Sequence, residues 1–261
     1  TKVPSWTLED LPQASVQAVV DELIDRGENS LENLLAIARY AKAINNQDLF
    51  LAIFQLLDGY EAMDGLFDKM GAYVGEDLRE IIFEDLPLPP LGLSNREKAL
   101  YAYRIINRME MIFEEATIRD ILKDCLRELP TSSYEKDRTS FLNDCGADID
   151  CYLKEKGSRF LNTLKNYQAR NELFFGQEID EDVIEFVRAN PEIGQGIRIG
   201  NIVYETKIPY NTKAYLAETD PDKKRYHYCH CPWAKESLRR KGLVVPPVFC
   251  QCSAGFHKKP Y

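Results

Sequence analysis

Gln47-Asp48-Leu49-Phe50-Leu51-Ala52-Ile53-Phe54-Gln55-Leu56-Leu57 decides the class of fold. The run holds neither Gly nor Pro and does not alternate. Its apolar residues fall nearly all round a 3.6-residue period, which predicts a helix central in a bundle. Upstream, Val16, Val19, Val20, Leu23 and Ile24 form one apolar stripe that Gly27 can stop. Ser30 opens a second helix carrying Leu31, Leu34, Leu35, Ala38 and Ala41 on one face. Met63 to Tyr73 and Leu78 to Phe83 read as further short helices.

Downstream, Leu86-Pro87-Leu88-Pro89-Pro90-Leu91-Gly92 cannot be helix interior. It is either a boundary between subdomains or a helix–helix loop within one bundle. Ser94 and Glu97 then read as a capping box. The helix it opens turns Leu100, Ile105, Ile106, Met109, Ile112 and Phe113 inward. Thr117 can cap the next, running to Leu129 before Pro130. Tyr134 to Glu155 and Ser158 to Phe175 read as two more, and Asp180 can cap a short one ending near Asn190.

The pattern changes at Pro191. Ile197-Arg198-Ile199 and Ile202 to Ile208 flank Gly200-Asn201, a hairpin signal. Val244 to Phe249 could add an edge strand, limited by Pro246 and Pro247. The expected fold is therefore mainly α with a small C-terminal antiparallel β region (α+β), a helical bundle followed by a Cys/His-rich subdomain. Its divisions are 1–86 and 93–190, both helical, and 191–261, small and α/β.

Composition fits a soluble globular chain: 44% hydrophobic and 29% charged, at a formal net charge of −9. That acidity argues against general nucleic-acid binding. No apolar run approaches the ~18 residues of a membrane span, so no membrane partner is expected. Thr1-Lys2-Val3-Pro4-Ser5 shows no leader-like apolar stretch, and the absence of an initial Met fits a trimmed sequence. A cytoplasmic location is the expectation. From Pro221 onward nine Lys and Arg face two Asp and Glu, which leaves −16 on the rest. That basic end is a solvated tail or a local pocket for an anion.

The chemistry concentrates in His227-Tyr228-Cys229-His230-Cys231-Pro232-Trp233 and Phe249-Cys250-Gln251-Cys252-Ser253-Ala254-Gly255-Phe256-His257. All three histidines and four of the seven cysteines lie there. Thiolates and imidazoles are the ligands a tetrahedral zinc ion prefers. Cys-x-Cys in an extended segment points both thiols to one face. The candidate metal ligands are Cys229, Cys231, Cys250 and Cys252. The alternatives are a mixed site using His227, His230 or His257, a metal-free catalytic thiol, or structural thiols and disulfides. Pro232 suits the first turn of a helix to Lys241, which would set Cys231 at its N-cap and favour the thiolate. Cys125, Cys145 and Cys151 read first as buried small hydrophobes. Glu236 is a candidate base beside a metal-bound water. Tyr226, Tyr228, Trp233, Phe249 and Phe256 surround the cluster.

Cys229-His230-Cys231-Pro232 with Cys250-Gln251-Cys252-Ser253-Ala254-Gly255-Phe256 resembles an uncharacterised bacterial family with a Cys-x-Cys-Pro … Cys-x-Cys-Ser-x-Gly-aromatic signature. Cys145-Gly146 with Cys151 loosely resembles that family's upstream Cys-Gly and second Cys. More distantly the pattern is similar to aminothiazoline-carboxylate hydrolases and vinyl-reductase-type small-molecule-binding domains. That resemblance implies helices against an antiparallel sheet, with cysteines near the C-terminus. Members usually continue into a further strand, whereas this sequence stops at Tyr261, so the resemblance implies a differently completed sheet or an incomplete sequence.

Two functions follow as expectations. One is a zinc-containing sensor or binding protein for a small molecule, with a structural site of four cysteines. The other is a hydrolase of the aminothiazoline-carboxylate type. It would attack a C=N or C=O carbon with a thiolate of Cys231 or Cys252, or with zinc-bound water, using His230 or His257 as base.

Overall fold

The structure is a computed structural model and describes residues 13–126 and 129–258. The termini at Thr1–Ser5 and Tyr261 lie outside the described residues. In chain order the helices are α1 (Gln13–Asp25), α2 (Leu31–Ala43), α3 (Gln47–Leu57), α4 (Glu61–Val74), α5 (Glu76–Phe83), α6 (Asn95–Ile112), α7 (Glu115–Leu122), α8 (Glu135–Thr139), α9 (Ile149–Ala169) and α10 (Glu181–Ala189). A hairpin of β1 (Ile197–Ile199) and β2 (Ile202–Tyr204) follows, then α11 (Thr212–Ala217), α12 (Pro221–Tyr228) and α13 (Gln251–Lys258). The chain is thus mainly α with a two-stranded antiparallel sheet. None of the helices is long and apolar enough to cross a membrane.

Many helix starts are written in side-chain oxygens. Ser30, Asn46, Ser94, Asp148, Asp180, Asn211 and Asp220 each accept from a first-turn amide. Each cap is worth about 1 kcal/mol. Ser94 accepts from the Glu97 amide at 3.3 Å and donates its hydroxyl to the Glu97 carboxylate. Gly27, at φ +69°, lets the chain leave α1 through a left-handed turn, with Glu28 N–H on the Leu23 carbonyl.

The chain forms two compact units: residues 13–126 with 231–258, and residues 129–230. Their limits differ from the three-part division read above. The proline-rich connector lies inside the first unit because both its ends are anchored: Leu86 is buried in one core and Leu91 packs on the other. The C-terminal cysteines and histidines are divided between the units, with the change at His230 and Cys231.

In the first unit, α1, α2 and α3 meet around Val16, Val20, Leu34, Ala38, Leu49, Ile53 and Leu56. As expected, α3 packs against both its predecessors, although Phe54 stays 46% exposed. The helices α4 to α7 form a second core with Trp233, Val245, Val248, Phe249 and Cys252 from the returning C-terminal segment. On α6, Ile105, Ile106 and Met109 are buried as expected, but Leu100 and Ile112 face solvent, and Lys98 is 2% exposed. The buried residues Lys98, Ala102, Ile105, Ile106 and Met109 follow i, i+4, i+7, i+8 and i+11, so the inward stripe begins at the lysine.

In the second unit the two expected helices Tyr134–Glu155 and Ser158–Phe175 are replaced by α8, a wide helical turn at Ser140–Asp144, and the single long α9. The break falls at Gly146 and Ala147, both left-handed at φ +59° and +62°, and Asp148 restarts the chain as an N-cap. Gly157 does not break α9; a Cβ there would collide with the Gln195 side chain that lies across it. Likewise α7 begins at Glu115 and ends at Leu122, with Thr117 inside it rather than at its cap. The hairpin pairs Ile197 with Tyr204 and Ile199 with Ile202 about the Gly200 turn, as expected, but β2 ends at Tyr204 rather than Ile208.

Candidate functional site

Trp233 organises the first unit's C-terminal return. It is 2% exposed, its Nε1 donates to the Gly59 carbonyl at 2.7 Å, and Tyr101 meets its ring edge-on at 6.1 Å. Gly59 adopts φ +61°, and a Cβ there would touch Pro232 and Trp233. The Cys231-Pro232-Trp233 segment is therefore pinned at the α3–α4 junction. Cys231 is half-buried against the core that holds Trp233 and Cys252.

Lys98 reaches the same place from the first turn of α6. Its Nζ donates to the Leu56 carbonyl at 2.8 Å and the Asp58 carbonyl at 3.4 Å, at the C-terminal end of α3. It also lies 5.7 Å from the Trp233 ring. In structural terms this ammonium caps the terminal carbonyls of α3 and suits the negative end of that helix's dipole. Burial pushes its pKa down from 10.5 to about 8, against the opposing pull of the Asp58 and Cys231 charges. Nearby Tyr101 is pushed up to about 12 by burial and Asp64, so its hydroxyl stays protonated and donates to the Leu86 carbonyl at 3.2 Å. A buried amine whose pKa falls to about 8 is a candidate functional group. Lys98 is not among the residues that the sequence singles out; its signal there is a lysine at the head of an apolar stripe.

The other candidates are dispersed. Val244–Phe249 is not a strand, because Pro246 and Pro247 remove two ladder donors and Pro247 instead opens a 3-10 turn, Pro247–Cys250, that runs into α13. Cys250 and Cys252 are thus helical, where an i, i+2 pair diverges by about 200°. Cys250 is exposed and Cys252 is 4% exposed. The shared face expected of an extended Cys-x-Cys does not apply to this pair. The helix expected from Pro232 to Lys241 is also absent. The Cys231 carbonyl accepts from the Ala234 and Lys235 amides, but the chain closes only a 3-10 turn, Lys235–Arg239. So short a turn carries little dipole, and the N-cap argument for Cys231 does not hold.

Cys229 follows α12 in an extended conformation and belongs to the second unit, as does His230. His230 Nε2 lies 2.7 Å from the Ile208 carbonyl, so that nitrogen carries the proton, and the ring meets Tyr210 edge-on. His257 is exposed in the last turn of α13, against Phe256, and Glu236 is half-buried in the Lys235–Arg239 turn. Cys125 is a buried free thiol. Cys145 and Cys151 are joined in a disulfide across the Gly146–Ala147 turn, which corrects the reading of them as separate buried hydrophobes. Their Cα atoms, 5.5 Å apart, stand where a bridge is geometrically natural.

Among the described residues no group of three or more His, Cys, Asp or Glu is arranged to hold a metal ion. Comparison with known protein families, curated proteins and solved structures finds no match.

Proposed function

We propose that the first unit carries a thiol centre, Cys231 with Lys98, serving a hydrolase that acts on a small molecule through an electrophilic carbon. The observation that carries this reading is the buried Lys98 ammonium, held on the Leu56 and Asp58 carbonyls and 5.7 Å from the ring of Trp233, two residues after Cys231. A fixed cation favours the thiolate, which is the nucleophilic form. Cys231 would add to a C=N or C=O carbon, and Lys98 would hold the counter-charge. The resemblance of the cysteine pattern to aminothiazoline-carboxylate hydrolases points to the same class of electrophile.

A second reading, zinc held by thiols in a sensor or binding protein, rests on the Cys/His-rich sequence around Cys229, Cys231, Cys250 and Cys252. Metal quantification on chain purified without added zinc separates the two. The thiol reading expects sub-stoichiometric metal and a Cys231 that iodoacetamide labels at neutral pH ahead of Cys250. About one zinc per chain with Cys231 protected would replace it by the zinc reading.

A further inference from the structure

The Cys145–Cys151 bridge lies in the second unit and takes no part in the centre just described. It closes a loop of only six residues' separation, and short loops gain less stability from a cross-link than long ones. The loop it closes is open to solvent: Asp144, Gly146, Ala147, Asp148 and Asp150 are all exposed. It also holds Ala147 in a left-handed conformation that an L-residue adopts at a cost. A bridge across a short loop, at a solvated and conformationally costly turn, is well placed for making and breaking.

The two sulfurs are not equivalent. Cys145 is 8% exposed, within a small core of Tyr152 and Leu153, against which Phe141, Val203 and Cys151 itself also pack. Cys151 is half-buried and stands in the first turn of α9, a helix of 21 residues, where the positive end of the dipole favours a thiolate. Access and the helix dipole thus favour Cys151, while the neighbouring carboxylates oppose its thiolate. The surroundings carry the opposite sign. Three carboxylates, Asp144, Asp148 and Asp150, line the loop; Arg198 is engaged with Asp150 at 3.2 Å, and Arg159 with Ser140 and Asp137. Asp148 spends its carboxylate on the Asp150 and Cys151 amides.

We infer that Cys145 and Cys151 form a reversible thiol–disulfide exchange site, with Cys151 as the attacking sulfur and small cationic disulfides as preferred partners. In the oxidising direction the Cys151 thiolate attacks one sulfur of RSSR, forms Cys151–S–SR and expels RS⁻. The Cys145 thiolate then attacks the Cys151 sulfur, closes the bridge and expels the second RS⁻. The chain gives up two electrons and RSSR is reduced to two thiols. Reduction runs the same steps backwards, beginning with an external thiolate at Cys151. The acidic loop attracts a cationic partner and repels an anionic one.

The test uses the full chain, reduced and kept native, with cystamine as the cationic probe and glutathione disulfide as the anionic one. Adducts at each cysteine are followed by mass spectrometry. Relative to a neutral reference thiol, cystamine should be favoured at Cys151 by about tenfold or more at low salt, with the preference shrinking at high salt. In Cys145→Ser the mixed disulfide should accumulate on Cys151 faster than it does on Cys145 in Cys151→Ser. Wild-type kinetics stand independently if either variant folds poorly. The proposal is overturned if the native reduced chain fails to re-form the bridge with either probe, if Cys145 is captured first, or if the low-salt preference equals that of the reference thiol.

Discussion

The indole Nε1 of Trp233 donates to the carbonyl of Gly59 across 174 residues of chain. This single bond fixes where the C-terminal segment re-enters the first unit, and with it the position of Cys231. Trp233→Phe keeps most of the apolar burial but leaves the Gly59 carbonyl unsatisfied. The expected loss is about 1–3 kcal/mol in denaturant unfolding followed by circular dichroism. A variant as stable as the parent would show that the bond contributes nothing.

The second contact that holds this segment is steric. A Cβ on Gly255 would collide with the backbone of Lys123, and one on Gly65 with the carbonyl of Cys125. So α13 lies on the end of α7, and α4 on the Cys125 backbone, at a distance only glycine permits. Gly255→Ala should cost about 1–3 kcal/mol through forced displacement, despite alanine's better helix propensity. A rise in melting temperature for that variant would contradict the packing.

Lys98 makes stability depend on pH in a definite direction. Its folded pKa is about 8 and its ordinary value 10.5. Between these values the unfolded chain holds the proton and the folded chain does not, so stability should rise with pH across that window. Below about pH 8 both states hold the proton and the burial penalty is present in full. Relative to Lys98→Met, the parent should gain on the order of 3 kcal/mol between pH 7 and pH 10.5. Parallel pH profiles for the two proteins would mean that Lys98 titrates as an ordinary surface amine.

Much of the helical architecture is legible because its punctuation is local. Ser30, Ser94 and Asp180 announce their helices, Gly27 ends one, and Gly200 marks the hairpin. The misplacements come from effects that local patterns do not carry. The expected helix end at Glu155 and start at Ser158 fall inside α9, where Gln195, distant in sequence, fills the space a side chain at Gly157 would need. Pro232 reads as a helix start, yet burial of Trp233 at Gly59 goes with no more than a 3-10 turn beyond it. In the site, Cys231 stands out by its neighbours in sequence. Its partner Lys98 does not, because a lysine on an apolar stripe passes for an interruption until packing shows it buried. The Cys145–Cys151 bridge depends on a turn through Gly146 and Ala147, and a left-handed alanine has no sequence signature.

The Lys98 charge should matter to Cys231 and to few other thiols. In Lys98→Met, iodoacetamide labelling of exposed Cys250 should keep its rate while that of Cys231 falls. Salt should narrow the difference only slightly, because a buried charge is weakly screened. Equal slowing at both cysteines would point to a general loosening of the fold.

The most direct measurement is the rate of Cys231 alkylation against pH, read peptide by peptide, in the parent and in Lys98→Met. If Lys98 sustains the thiolate, the parent reacts at Cys231 well below the pH at which an ordinary thiol does, and the variant's profile moves upward in pH. Superimposable profiles, with Cys231 behaving as an ordinary thiol in both, would contradict the thiol centre.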